Sequence, residues 1–232
     1  MHAHILPGID DGAATVEEAL ALIDGLINLG YQQLIATPHI MADLYPNTPD
    51  TIHQAYSRLK AEMDRRQYTI PISYAAEYLI DEKFPEKIEA GLLTFNGNHV
   101  LIETMFAVCP PNIEDVLFSL QAHGYQPVFA HPERYHYMEE SLKNLEPFLR
   151  HNCLMQPNWL SFAGYYGERE KKIAYKLLDA QLISFLGTDM HHDRHLKVLK
   201  HLQVKPAVLK KLEAIDFLNR KLEVTSEKLH HS

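Results

Sequence analysis

Cysteine is scarce in this 232-residue chain: Cys109 and Cys153 are the only two. Two cannot build a disulfide framework, so nothing argues for secretion. Neither is followed six residues on by an arginine, the spacing a phosphate-cradling loop with a thiolate nucleophile requires, which excludes cysteine-based phosphatase chemistry. No apolar run reaches the ~18 residues of a membrane span, and the N-terminus is not a basic-then-apolar leader, so a cytoplasmic protein that is not membrane-embedded is expected. Long basic runs are missing too. With 30 acidic against 22 basic residues the formal charge is −8, and a nucleic-acid partner is disfavoured because phosphate neutralisation needs clustered Lys and Arg. There is no G-x-x-x-x-G-K-[ST] loop, so nucleotide hydrolysis of that type has no support.

What the chain does contain is ordinary in bulk, with 46% hydrophobic and 22% charged residues, which excludes disordered and fibrous classes. Histidine stands out: 15 residues against 10 glycines. A single domain over residues 1–232 is expected, since α/β barrels often run about 200–250 residues as one unit.

Short apolar runs that end in polar clusters alternate with segments of helical period. The runs are His2–Leu6, Tyr31–His39, Ile70–Ile80, His99–Met105, Gln126–Arg134, Cys153–Ser161 and Leu182–His191. Their apolar, β-branched and aromatic content suits strands buried on both faces. Thr15 with Glu18 forms a capping-box pattern that opens a helix over Val16–Leu29, stopped by Gly30. Pro49–Arg66, Asn112–Gly124, Ser141–Arg150 and Glu168–Gln181 read as amphipathic helices, and Pro206–Leu222 as one or two closing helices. Alternation of this kind gives β-α units and a parallel sheet. About seven strands at this length favour an α/β fold closed as a barrel over an open doubly wound sheet.

Potential metal ligands recur at the strand ends. His2 and His4 are spaced i, i+2, which puts both on one face of an extended segment. Asp10-Asp11-Gly12 follows in the first loop. His39 ends the second strand, Glu77 and Glu103 lie near the ends of the third and fourth, His131 closes the fifth, and Asp189 and His191 close the seventh. A parallel barrel collects these ends on one rim. Nitrogen and oxygen donors without thiolate suit Mn, Fe or Zn. Two such ions about 3.5–4 Å apart activate water and bind a phosphoryl oxygen. A lone His-x-His is usually just two histidines on a strand, and Asp10 or Asp11 could instead cap a helix; coincidence across six strand ends outweighs those readings. His53, His123, His151 and His201 read as surface or helix-end residues, His230 and His231 as tail. His136, His192 and His195 are candidates for contact with the ligands or a substrate.

Arg134 follows His131 by three residues and stands at the same rim, where a guanidinium suits a phosphate bidentately. The alternative is a rim salt bridge with Glu133 or another carboxylate. Arg194 is a weaker candidate for the same task.

His2-Ala-His4-Ile-Leu-Pro-Gly-Ile-Asp-Asp11-Gly resembles the opening motif of PHP-domain (polymerase and histidinol phosphatase) proteins. More narrowly, it resembles that of bacterial protein-tyrosine phosphatases encoded with capsular and exopolysaccharide machinery. Ala-Thr-Pro-His39, Ala-Glu77, Leu-Ile-Glu103, Ala-His131-Pro-Glu-Arg134-Tyr and Thr-Asp189-Met-His191 are similar to the later motifs of that subfamily, in order and spacing. The resemblance implies a distorted seven-stranded (β/α)7 TIM-like barrel, the PHP fold, with two or three divalent ions, usually Mn²⁺, with Fe or Zn compatible. It implies His2, His4, Asp11, His39, Glu77, Glu103, His131, Asp189 and His191 as ligands, with Asp11 favoured over Asp10 because the matching acidic position precedes the glycine. Arg134 would hold the substrate phosphate, and His191 is a candidate general acid. The implied reaction is hydrolysis of protein phosphotyrosine by metal-activated water. The implied partner is an autophosphorylating, membrane-anchored tyrosine kinase controlling polysaccharide export, and association into oligomeric rings is usual in the family. Members usually carry a few strand residues before the first histidine, whereas His2 here follows Met1; either the start is displaced or the first strand is short.

Three rivals share parts of this pattern. A histidinol-phosphatase-like small-molecule enzyme would keep the metal site but need a walled rim. A non-catalytic or nucleic-acid-facing PHP module is opposed by the negative charge. Amidohydrolysis commonly wants a carbamylated lysine, and no lysine lies in the strand cores.

Overall fold

The extended runs are interrupted where the sequence removes a donor or turns the backbone. In the computed structural model, which describes residues 1–222, the Tyr31–His39 run yields β1 (Leu34–Ala36) and β2 (His39–Ile40) on either side of Thr37-Pro38. Proline has no N–H for a ladder. The Ile70–Ile80 run likewise yields β3 (Ile72–Tyr74) and β4 (Glu77–Leu79), parted at Ala75-Ala76. β5 (His99–Glu103), β6 (Gln126–Ala130) and β7 (Leu154–Gln156) follow. All pairs are parallel, in a two-stranded sheet β1-β3 and a five-stranded sheet β2-β4-β5-β6-β7.

The expected closed seven-stranded barrel is therefore corrected: among the described residues the strands form two parallel sheets and no ladder closes. His2–Leu6 and Leu182–His191 contribute isolated bridges instead of strands, Ala3 to Met190, Met155 to Ile183 and Asn158 to Gly187. The cause is local. His2 (φ 63°) and Asp189 (φ 48°) are left-handed, a conformation incompatible with a continuous strand.

Strand alternation sorts the side chains onto two faces. Val100, Ile102 and Phe129 point to the outer core under the helices, whereas Ile35, Ala75, Leu101, Val128 and Ala130 share an inner cluster with Met1, Phe95, Phe185 and Leu222. Two-residue steps along the inner face lead from this apolar floor to polar tops: Ile35, Thr37, His39; Ala75, Glu77; Leu101, Glu103; Leu154, Gln156, Asn158. The fold thus lifts the donor-bearing residues to one end of a small apolar plug.

Helices cover the outside. α1 (Val16–Asn28) starts at Thr15, whose side chain accepts from the Glu18 backbone N–H at 3.2 Å, while Glu18 reaches back to the Ala14 N–H at 2.8 Å. α2 (Pro49–Arg65) opens with a reciprocal Thr48/Thr51 box, which satisfies two otherwise unpaired helix-end donors. α3 (Phe84–Ala90), absent from the sequence reading, precedes β5. α4 (Ile113–Ala122) forms as expected, but Ser141–Arg150 contracts to α5 (Glu146–Arg150) after a 3₁₀ turn at Lys143–Leu145, because Leu142 turns left-handed at φ 59°. α6 (Glu168–Asp179), an unforeseen α7 (Asp193–Lys200) and α8 (Pro206–Glu213) follow, then a 3₁₀ turn at Leu218–Lys221. No helix of the described residues is long and apolar enough to cross a membrane. His230 and His231 lie outside the described residues.

Candidate metal centre

Glu77 is the hub of a buried cluster. Its Oε2 lies 3.1 Å from His2 Nε2, 3.3 Å from His4 Nε2 and 3.2 Å from His39 Nδ1; its Oε1 lies 3.0 Å from His131 Nε2. Glu103 Oε1 is 2.8 Å from His39 Nδ1. Asp189 Oδ1 is 3.3 Å from His2 Nε2, 3.5 Å from His4 Nε2 and 3.4 Å from His191 Nδ1. Asp11 Oδ1 faces His39 Nε2 at 3.5 Å and His191 Nε2 at 3.4 Å. All nine residues expected as ligands converge here, and the donor atoms of eight fall into three overlapping groups able to hold an ion: His4, Asp11, His39 and His191; His2, His4, Glu77 and Asp189; His39, Glu77 and Glu103. His131 stands outside these groups and reaches the cluster through Glu77 Oε1. Asp10 points elsewhere. Its Oδ2 accepts from His4 Nδ1 at 2.8 Å and from the His39 backbone N–H at 3.2 Å, and its Oδ1 from the Gly12 N–H at 3.0 Å, so it braces the histidines from behind.

Three cluster members, His2, His131 (φ 35°) and Asp189, hold left-handed backbones without being glycine. Such positions cost on the order of 1–3 kcal/mol and persist only where surrounding contacts over-determine them. Here the Asp189 N–H donates to His2 O at 2.9 Å, Thr188 Oγ1 donates to the same oxygen at 2.7 Å, and the His131 N–H donates to Gln156 O at 2.7 Å. The bends turn side chains at the last strand positions inward.

Hydrogen bonds behind the rings choose which nitrogen faces the cluster. His4 Nδ1 is taken by Asp10, His2 Nδ1 by Gln156 Oε1 at 2.5 Å, and His191 Nδ1 by the Asp189 carbonyl at 2.9 Å. Their Nε2 lone pairs remain for a cation, the arrangement usual for metal-ligating histidines. His39 Nδ1, Glu77 Oε2 and Glu103 Oε1 are buried close together without hydrogen-bond geometry. Buried polar atoms without partners are costly, and a cation among them would satisfy all three.

The electrostatics carry the same signature. Burial acts to deprotonate His39, but Glu77, Glu103 and Asp11 outweigh it and raise it to about 10. Burial is likewise overcome at His191, which Asp189 and Asp11 hold near 9, and at His2, which Glu77 and Asp189 raise. Against its own desolvation Asp11 falls to about 2 beside His191. Glu77 and Asp189 lie well below the carboxylate range despite burial, held there chiefly by His2, with His39 and His191 adding to it. Glu103 moves up, through burial and the Glu77 charge beside it. The carboxylates that raise the proton affinity of the facing rings would equally favour a cation among them.

At the rim, Arg134 is engaged: Nη1 donates to Asp189 Oδ2 at 2.7 Å. Its guanidinium lies 4.4 Å from the Tyr166 ring centre and 5.0 Å from that of Phe106, a cation–π sandwich. Its other N–H groups make no hydrogen bond among the described residues. Arg194 lies farther out, 5.9 Å from the Tyr165 ring. Phe106 stacks on His131 at 5.7 Å and Tyr45 on His39 at 5.5 Å. His195 is buried and its Nδ1 accepts from the His191 N–H at 3.3 Å; His192 caps α7, and the His136 N–H donates to Phe106 O. His53, His123, His151 and His201 lie outside the cluster. Sequence reasoning missed Gln156 and Asn158, neutral amides at the inner-face end of β7, and Glu133, whose buried Oε1 accepts from Ser161 Oγ at 2.6 Å and the Asn158 N–H at 2.8 Å. The i, i+2 spacing of the two amides at a strand end was the available signal.

Fold and site together define a class: an α/β protein with a histidine–carboxylate cluster, suited to metal ions, at the C-terminal ends of parallel strands. Residues 1–214 match the family described as "Capsular polysaccharide synthesis, CpsB/CapC", and the chain belongs to that family. It is 29% identical over 194 residues to the tyrosine-protein phosphatase YwqE of Bacillus subtilis, covering 83% of this chain and 76% of YwqE. It is 26% identical over 231 residues to the putative tyrosine-protein phosphatase CapC of Staphylococcus aureus, covering 99% and 86% of the two chains. With the tyrosine-protein phosphatase CpsB of Streptococcus agalactiae the figures are 27% over 199 residues, 83% and 82%. A crystal structure from work on YwqE of B. subtilis and CpsB of Streptococcus pneumoniae, described there as unique metal-dependent tyrosine phosphatases, matches with a TM-score of 0.76 at 27% identity, covering 97% of this chain and 96% of that one.

Proposed function

We propose that this protein is a metal-dependent protein-tyrosine phosphatase acting in capsular or exopolysaccharide synthesis. The observation that carries the reading is a nine-residue donor cluster in which His39 Nδ1, Glu77 Oε2 and Glu103 Oε1 are buried without hydrogen-bond partners, beneath an open rim. His2, His4, Asp11, His39, Glu77, Glu103, His131, Asp189 and His191 would hold two or three divalent ions; the mixed nitrogen and oxygen donors suit Mn, Fe or Zn, and the family resemblance favours Mn²⁺. When bound, such ions activate water and neutralise phosphoryl charge.

The chain's own groups do the rest. Arg134 keeps one edge on Asp189 and turns its free N–H groups to the rim, where they can grip a phosphate. Phe106 and Tyr166 hold the guanidinium between them, so little side-chain freedom is lost when substrate docks. Arg194 supplies further positive charge beyond Tyr165. Both ring nitrogens of His191 are engaged, by the Asp189 carbonyl and within the cluster beside Asp11, so it serves the ions rather than donating a proton. A phenolate, with a pKa of about 10, needs less protonation to leave than an alkoxide. The approach is wide: the Asp11 side chain is 50% exposed, and Leu44, Met105 and Val108 stand 71%, 56% and 61% exposed. That breadth suits a phosphorylated protein segment better than a small metabolite. The fold is read as an opened variant of a (β/α)7 barrel, the chain as one domain, and the site of action as the cytoplasm, facing an autophosphorylating tyrosine kinase.

The test is kcat/KM on a phosphotyrosine peptide against histidinol phosphate, before and after chelation. Peptide hydrolysis lost to the chelator and restored by Mn²⁺ is expected. Full peptide activity after exhaustive metal removal, or a preference for histidinol phosphate, would overturn the reading.

A further inference from the structure

We propose that Gln156 and Asn158 form a one-way relay of two amides that locks His2 as a ligand through Nε2 and ties its orientation to Asp189. This rests on reading the cluster as a metal site. The chain of contacts is continuous and buried. His2 Nδ1 meets Gln156 Oε1 at 2.5 Å, Gln156 Nε2 donates to Asn158 Oδ1 at 3.2 Å, and Asn158 Nδ2 donates to Asp189 Oδ2 at 2.8 Å. The loop closes across the cluster, where His2 Nε2 lies 3.3 Å from Asp189 Oδ1.

Only one polarity satisfies every link. The Asp189 carboxylate accepts and cannot donate, so it must face the Asn158 NH₂. Asn158 Oδ1 then faces Gln156, which must present its own NH₂. The Pro157 carbonyl, 3.1 Å from Gln156 Nε2, imposes the same choice independently. Gln156 Oε1 is left for His2, which must carry its proton on Nδ1 and turn the Nε2 lone pair to the cluster. Flipping either amide sets acceptor against acceptor. The Asn158 N–H bond to Glu133 and the bridge to Gly187 hold the far end in place.

The same geometry explains why residue 156 is an amide when Asp10 performs the matching task for His4 with a carboxylate. A carboxylate at 156 would accept from His2 but press its second oxygen on two acceptors, Pro157 O and Asn158 Oδ1. Gly187 belongs to the device as well: a Cβ there would sit 2.2 Å from Gln156 Nε2.

The experiment uses metal-stripped full chain, titrated with Zn²⁺ alone by calorimetry and observed by ¹⁵N-edited NMR of the histidine rings. In the unsubstituted protein loaded with Zn²⁺, His2 is expected to carry its proton on Nδ1 and none on Nε2. Gln156→Met, which keeps length but removes both polar atoms, should free the His2 tautomer and weaken one ion by about 10- to 100-fold. Asn158→Leu should do the same, and the double variant should cost no more than the worse single change, because one chain is cut once. Gly187→Ala, which displaces the Gln156 side chain without altering it, provides a second route should Gln156→Met fail to fold. If the unsubstituted protein binds Zn²⁺ and the variants bind it equally well with an unchanged His2 tautomer, the relay is wrong while the metal reading stands. If the unsubstituted protein binds no Zn²⁺, both fall.

Discussion

Replacing Gly12 with alanine tests whether the first loop holds the histidines by close approach. The φ of Gly12 lies outside the left-handed region, so alanine meets no dihedral penalty there. Space is the obstacle: a Cβ would lie 1.9 Å from His4 O and 2.5 Å from His4 Cβ. Both are fixed by the backbone and cannot rotate away. Reaching even the shortest ordinary contact of 3.4 Å requires the loop and His4 to part by about 1.5 Å. The His4 Nδ1–Asp10 Oδ2 bond, 2.8 Å at rest, would then pass beyond hydrogen-bonding range, and Asp11 would withdraw from His39 and His191. A hydrogen bond to a charged group contributes about 1.5–3 kcal/mol, and losing a brace behind a ligand typically lowers metal affinity about 10- to 100-fold. Calorimetric titration of the metal-stripped Gly12→Ala protein with Mn²⁺ should show that loss on at least one ion. Asp10→Asn, which keeps an acceptor for His4 and the His39 N–H but sets its NH₂ against the Gly12 N–H, should lose less. Gly12→Ala binding Mn²⁺ within about twofold of the unsubstituted protein would refute the argument, since the clash would then have been absorbed without moving Asp10.

Two further outcomes follow from the site. In the metal-free protein the raised His39 and His191 stabilise the fold fully below their ordinary value of 6.5, and this contribution disappears as pH rises through about 9 and 10. The melting temperature of the metal-free protein should therefore fall between pH 6.5 and 10, while metal affinity rises as protons cease to compete; a metal-free melting temperature that climbs over this interval would contradict the assignment. Arg134→Lys loses the planar fork that spans Asp189 and the rim, so kcat/KM on a phosphotyrosine peptide should drop about 10²-fold with metal stoichiometry unchanged. Unimpaired turnover by that variant would remove Arg134 from phosphate binding.

Most donors were legible in the sequence: His39, Glu77, Glu103, His131, Asp189 and His191 stand at or near the polar end of an apolar run, and His2 and His4 share an i, i+2 spacing. The two-residue step from Ile35 through Thr37 to His39 could be counted without coordinates. What escaped detection depends on contacts distant along the chain. Nothing local in His2, His131 or Asp189 announces a left-handed backbone; those bends are imposed by hydrogen bonds from elsewhere, and they reduce the first and last expected strands to bridges. Pro38 was visible, but its effect, transferring the chain from the β3 neighbour to the β4 neighbour, depends on where the next strand also breaks. Gln156 and Asn158 carry no charge and so read as ordinary strand residues, although they share the spacing of the histidine pair. Arg134 was expected to hold a phosphate or join a rim salt bridge, and only the coordinates name Asp189 as the carboxylate it touches.

Strand register has a consequence for how such a protein can change. His39 pairs with Glu77, and Leu79 with Glu103, across neighbouring strands, so a single-residue insertion inside any of these short strands would turn a donor from the inner to the outer face. The loops that follow carry Leu44, Tyr45, Phe106, Val108 and Tyr166, and they can lengthen or shorten without moving a donor. The donors and the exposed rim residues thus lie in separate stretches of chain. An engineer exchanging rim loops between relatives can leave the donors in place, provided Tyr45, Phe106 and Tyr166, which pack on His39, His131 and Arg134, are kept.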